Sequence, residues 1–475
     1  MKSASRVANL MGLSVRASNR ISVTGHVRGN DGYALVSVLF FIAVLSLLCA
    51  EILKVQAFQS RVVLGEFDNV KAAYAAGNGI EEALASISIS GSMDTSFTQQ
   101  FADGSSASIR VFQWGLYGAI VSHGLYRHCE KERSALVGSS LSSVDDPAFV
   151  LGDLQHGLVL AGKSQIVGDV TVGPGGVATG SLKDVSAPDD LPVKGRISKV
   201  ASAIQMLDTS VVDREVLRLK SFLRILRRPG SNPDNPGGLA LRGGILDLSN
   251  VTESFDTLMC FGDFTLMDTI MRRGPPLIII VSGNLSFAPG ACLIGPVIVC
   301  ADDSISIPPH VNLYDTILAS PAGITVQKHA AVTAQLFSPI IKCLQGSAAN
   351  YPSVLFSVSL SDTQGVTQSI DLETGASVSG AVLMRTGSGI SMKNTVIDLK
   401  PGSVVVGEIY TNGFLTLDGS VRGLVRAYDL YFYDSPTTYL GWMRSGIIDR
   451  TQMPTGFLRP LGTSGDFKGE ILAWM

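Results

Sequence analysis

The chain is short of charge, of aromatic rings and of every common catalytic fingerprint. Asp, Glu, Lys and Arg make up 16% of its 475 residues, and the net charge is only -3 from 37 basic and 40 acidic side chains. Such a balance gives no general affinity for nucleic acid or another polyanion, so no nucleic-acid partner is expected. Aromatics are 7%, so the core must be built from Val, Ile, Leu and Ala. There is no GxSxG, HExxH, P-loop or dinucleotide fingerprint. The six cysteines contain no CxxC pair, which disfavours a zinc or redox motif. No catalytic residue, metal ligand or cofactor is therefore expected. Cys49 lies in an apolar run. The other five, Cys129, Cys260, Cys292, Cys300 and Cys343, are an odd set that cannot all pair within one chain, although Cys292 and Cys300 could meet across a strand turn.

What is abundant is apolar sequence and glycine. Apolar residues reach 46%, and the 50 glycines imply many tight turns between short strands. The longest apolar run, YALVSVLFFIAVLSLLCA, covers Tyr33 to Ala50 without a charge. It is just long enough to span a bilayer as a helix. Before it stand Lys2, Arg6, Arg16, Arg20 and Arg28 against a single acid, Asp31. That asymmetry keeps the N-terminus cytoplasmic and sends the body outward. A cleavable secretory signal would need a shorter apolar core and a small-x-small site. Here a proline-free segment continues without a break, with Ile52, Val55, Phe58 and Val62 at helical spacing. One helix from Tyr33 to about Ser88 is predicted, roughly 84 Å long at about 1.5 Å per residue.

A basic leader ending in glycine, an uncharged run directly after it and a long helix together resemble the type III signal and N-terminal helix of type IV pilins and pseudopilins. The resemblance implies cleavage by a prepilin peptidase at Gly32–Tyr33, with Tyr33 as a methylated first residue. The leader is then 1–32, or shorter if Met11 is the start. The family usually has Phe at the first mature position and Glu at the fifth; this chain has Tyr33 and Ser37. The missing glutamate, and the segment AAYAAGNGIEEAL from Ala72 to Leu84, are similar to the minor subunits of the PilX and GspK kind. Gly77 and Asn78 replace a Glu-Ala pair of that signature. The likeness covers about 60 residues. It implies a bacterial inner-membrane protein with a single span and a periplasmic or extracellular body. Its implied partners are the membrane, other pilin or pseudopilin subunits and the peptidase, with Ser37 at the assembly position.

After Gly91 the pattern turns to strands. SASIRVFQW and LYGAIVSHGLYRHCEKERSALVG read as a small antiparallel meander within a pilin-like β region at 91–150. His128 and Cys129 would point to opposite faces of a strand and make a poor metal pair. From about Gly157 short β-branched runs alternate with glycines. Aligning PLIIIVSGNLSF, PVIVCADDSISI, DTILASPAGITV and AQLFSP places Ile279, Ile298, Ile317 and Leu336 at steps of 19 residues. Such a period suits the coils of a parallel β-helix, which stack like positions into ladders. The spacing predicts Ile279, Ile298 and Ile317 in one ladder. A second recurrence, SGAVLM, VGEIYT and RGLVRA, centres on Gly380, Gly407 and Gly423 and resembles bactofilin-type coils.

The expected fold is therefore α+β and mainly β. A pilin-like transmembrane helix at 33–90 leads into the small sheet. First solenoid coils at 151–188, a helical insertion and loop at 189–238, and a solenoid body at 239–475 follow. The insertion carries Arg214, Arg218, Lys220, Arg224, Arg227 and Arg228, read first as a coil cap and second as a docking surface for an acidic partner. Asp302-Asp303 is the only adjacent acid pair within the 19-residue repeats, in a turn where Asp is also structurally favoured. The expected function is structural, as a minor subunit that primes, caps or decorates a pilus or secretion pseudopilus. A tethered adhesion protein without processing, and a tethered polysaccharide-active enzyme, are the alternatives.

Overall fold

A computed structural model describes residues 31–90, 94–140, 146–153, 155–188, 190–201, 209–227, 238–246, 256–272, 274–361, 365–387, 394–463 and 469–474. The leader at 1–30 lies outside the described residues. Half of the chain is strand, and two α-helices are described. It divides into two compact units, Met1–Phe67 and Asp68–Met475.

In the first unit the described residues belong to helix α1, Asp31–Ser90, which continues into the second. Proline is absent from it, so nothing interrupts the backbone hydrogen bonds. From Tyr33 to Phe67 its Leu, Val, Ile and Phe side chains are exposed. This one helix is long and apolar enough to cross a membrane by length and composition.

In the second unit α1 changes character. Ala72, Ala76, Ile80, Ala83 and Ile87, spaced three and four apart, are buried, as is Ala75. They lie against a sheet whose strands β1 (Thr95–Gln100), β2 (Ser106–Trp114), β3 (Tyr117–Tyr126) and β4 (Cys129–Ser139) form the expected antiparallel meander. Ala107, Ile109, Ile120, Ala135 and Val137 supply the sheet's side of that core. The approach is close: a Cβ on Gly124 would stand 2.1 Å from the Ala72 carbonyl oxygen. The small residues of AAYAAGNG thus have a packing role.

The rest is largely a parallel stack, most of whose described strands belong to one 25-stranded sheet; Leu158–Leu160, Val177–Thr179 and Trp442–Met443 form a separate three-stranded sheet, and Thr437–Leu440 pairs antiparallel with Ser420–Asp434. The coils do not stack in chain order. The strand Gly238–Leu246 stands at one end, and successive coils lead to Ser420–Asp434. On that last strand lies β5, Phe149–Leu151, pairing Val425 with Phe149 in parallel. The strands Val170–Val172 and Ile197–Lys199 follow. The coils that come first in the chain are therefore last in the stack. Helix α2, Thr209–Arg227, falls in the segment 189–238 expected as an insertion, although that segment also supplies the coil strands Val193–Lys194 and Ile197–Lys199. It covers the outer face of the stack through Val212, Val216, Leu219 and Leu223.

Four expectations need correction. Ile279, Ile298 and Ile317 are all buried in one sheet but do not form one ladder. Ile298 pairs with Ile278 and Ile317, whereas Ile279 pairs with Val299. Ile279 points into the solenoid, while Ile298 and Ile317 face the α2 side. The steps between partners from Ile278 through Ile298 and Ile317 to Gln335 shorten from 20 to 19 to 18 residues. A one-residue slip exchanges the faces. The body does not run to 475 as solenoid either: the strand Gly469–Trp474 pairs antiparallel with β4 in the small sheet. The boundary at 150 falls inside β5. Finally, Cys292 and Cys300 share one strand, and all six cysteines are free, with Cys260, Cys300 and Cys343 buried.

The second recurrence does stack. Gly380, Gly407 and Gly423 are register partners. Their φ angles are 143°, 139° and 156°. A Cβ at Gly407 would fall 2.0 Å from the Gly380 carbonyl oxygen, so the ladder admits only glycine.

Candidate functional site

Gly32, Tyr33 and Ser37 lie in the first turns of α1. Tyr33 is 81% exposed and Ser37 is partly covered. Tyr33 and Ser37 share one helix face by their i,i+4 spacing. Within the apolar run the Ser46 hydroxyl donates to the Ile42 carbonyl at 2.7 Å, so this polar group is satisfied inside the helix. The first charges after the run are Glu51 and Lys54, paired at 2.8 Å.

Asp302 and Asp303 occupy a turn of the stack, where their amides donate to the carbonyls of Val281 and Gly283. The basic stretch of α2 is largely engaged within the body. Arg218 pairs with Glu215 at 2.7 Å, Arg214 with Asp94 at 3.1 Å, and Lys220 donates to the Ser361 carbonyl. The Arg227 side chain and Arg228 lie outside the described residues.

Three polar positions that sequence reading missed bind the small sheet to the stack. Gln335 stands in the ladder Ile278, Ile298, Ile317, where three apolar residues precede it. Its Oε1 accepts from the Leu116 amide at 2.8 Å, and its Nε2 donates to the Trp114 carbonyl at 3.0 Å. It thereby holds the turn between β2 and β3. Arg459 is fully buried. It donates from Nε to Glu408 at 2.7 Å and from Nη1 to Asp146 at 3.3 Å. Its backbone pairs with Ser139 at the end of β4.

Asp315 is the third. It has a φ of 55°, uncommon for a residue with a side chain. Burial pushes its carboxyl up to about 7, against a hydrogen bond from Trp114 that lowers it. Its Oδ2 is buried with no hydrogen-bond partner among the described residues. Beside it a cleft of about 660 Å³ opens between the sheet and the stack, lined by Trp114, Phe112, Tyr314, Met271, Ile294 and Glu132 among others. An acid that carries its proton near neutral pH, set among aromatic rings, can donate a hydrogen bond to a hydroxyl.

No family model and no curated protein matches the chain. Its similarity to solved structures is at low score, as two of them show. One is the ice binding protein from an Antarctic bacterium, Flavobacteriaceae, at 11% identity and a TM-score of 0.19, covering 67% of this chain and 99% of that one. The other is the competence-associated pilin ComZ from Thermus thermophilus, at 11% identity and a TM-score of 0.18, covering 86% of this chain and 97% of that one.

Proposed function

We propose that the chain is a membrane-anchored minor subunit of the type IV pilin or pseudopilin kind, present in few copies, whose large body caps, primes or decorates a filament. The observation that carries this reading is the two-part helix α1. Its first part is an uncharged run with exposed apolar side chains, suited to lipid or to the helix-packed core of a filament. Its second part buries a stripe of small residues against an antiparallel meander. The basic leader and Ser37 add the family resemblance. The remainder after Ser90 is too bulky to repeat on every subunit of a tightly packed filament, which favours a tip. The role is structural and not enzymatic, with prepilin peptidase, neighbouring subunits and the inner membrane as partners.

A second reading, an unprocessed tethered binding protein, is favoured by the cleft at Asp315. The mature N-terminus separates the two. Mass spectrometry of the membrane-extracted protein is expected to find a chain starting at Tyr33, with N-methylation, and Gly32→Val is expected to keep the leader attached. A start elsewhere, for example after Ala50, refutes the pilin reading.

A further inference from the structure

The junction between the last coil of the stack and the first coils of the chain contains a cluster of polar side chains outside the cleft. Leaving β5, the chain stays in register with the strand Ser420–Asp434: the amides of Gly152 and Asp153 donate to the carbonyls of Ala427 and Tyr428 at 2.8 and 2.6 Å. This places Asp153 beside Asp429. His156 follows, with Nδ1 against Asp153 Oδ2 and 3.4 Å from Asp429 Oδ2. One ligand atom from each of the three lies within 4.8 Å of the others.

The two carboxylates are prepared alike. Asp153 Oδ1 accepts the Gln155 amide at 2.9 Å, and Asp429 Oδ1 accepts the Leu430 amide at 2.7 Å. Both Oδ2 atoms turn to the imidazole. The Asp429 side chain is 1% exposed and that of Asp153 9%, while His156 remains 39% exposed and leaves an approach from solvent. Among the described residues no Lys or Arg pairs with either acid. Two buried carboxylates facing one imidazole are short of positive charge.

We propose that Asp153, His156 and Asp429 bind a zinc-like divalent cation that clamps this junction. One imidazole nitrogen and two carboxylate oxygens are a three-ligand zinc set with the fourth position open to water. A calcium ion would call for six to eight oxygens, which this set does not offer. The backbone amides on both Oδ1 atoms act as the outer shell that orients the ligands. The ion would join residues far apart in sequence, so binding should stabilise the docking of the first coils onto the last.

The test uses the full-length protein in detergent, stripped with chelator and titrated with zinc chloride by calorimetry, with manganese and calcium chlorides in parallel. The expected result is one zinc per chain, a thermal midpoint that rises with zinc, and weaker response to calcium. His156→Gln, at a partly exposed position, should keep the circular dichroism spectrum and weaken zinc binding at least tenfold. Failure of the wild type to bind zinc overturns the proposal. So does undiminished binding by His156→Gln, which would place the ion elsewhere, for instance on a thiol.

Discussion

Replacing Asp315 by Asn should cost stability at acid pH and regain it as the pH rises. In the folded chain this carboxyl is pushed up to about 7 by burial, whereas its ordinary value is 3.8. The folded state therefore binds more protons than the unfolded state between those values, and stability falls as pH rises through that window. At about 1.36 kcal/mol per pH unit the whole interval is worth about 4 kcal/mol, of which about 2–3 kcal/mol falls between pH 5 and pH 8. That is a ceiling, because a cavity of about 30 Å³ beside Asp315 has room for a water that would solvate the anion. Asn suits the site. It tolerates the positive φ and can still accept from Trp114. Its amide leaves one buried donor, at a cost of about 1–3 kcal/mol that does not vary with pH. The assay is urea unfolding of both proteins at several pH values, read as their difference. Other titrating groups, such as the buried Glu215, also raised to about 7, cancel in that difference. The variant should gain on the wild type by about 1–3 kcal/mol from pH 5 to pH 8. A difference that stays flat, or moves the other way, refutes the burial argument.

Two further substitutions test the joints of the body. Gly124→Ala should lower the thermal midpoint and cost about 1–3 kcal/mol or more, because the new Cβ meets the Ala72 carbonyl and the Ala76 amide of α1, backbone atoms that cannot rotate away; an unchanged midpoint would mean that helix and sheet are not this close. Glu408→Gln should cost about 3–5 kcal/mol by urea unfolding, since it leaves the buried Arg459 guanidinium with its bonds to Asp146 and the Thr463 carbonyl and no carboxylate at Nε. A loss under about 1 kcal/mol would mean that Asp146 alone balances the charge.

Much of this architecture is written locally, and the rest is not. Helix α1 is legible because its signals are continuous: no proline, no charge over eighteen residues, then small residues at helical spacing. The meander is legible from alternation, since β2 buries every second residue through most of its length. The solenoid is legible as a recurrence but not in register. The strands Leu277–Val281 and Cys292–Ala301 carry apolar residues on both faces, so shifting them by one changes no pattern that a single sequence displays. Stack order is hidden for a different reason. The pairing of Phe149 with Val425 joins segments separated by most of the body, and three-residue strands such as β5 have no local partner to announce them.

The joining residues share one feature that a reader of the sequence can use. Gln335 stands in AQLFS, Glu408 in VVVGEIYT and Asp429 in VRAYDLYF, each a polar side chain within a largely apolar strand. Strand alternation reads such a residue as facing solvent. All three are instead buried. A sheet covered on both faces has no solvent side for them, and a buried polar group without a partner is costly. Each must therefore find a partner from another segment, as Gln335 does at the turn after β2, Glu408 at Arg459 and Asp429 at His156. In a stack covered on both faces, an isolated Gln, Glu or Asp within such a run marks where a distant part of the chain returns.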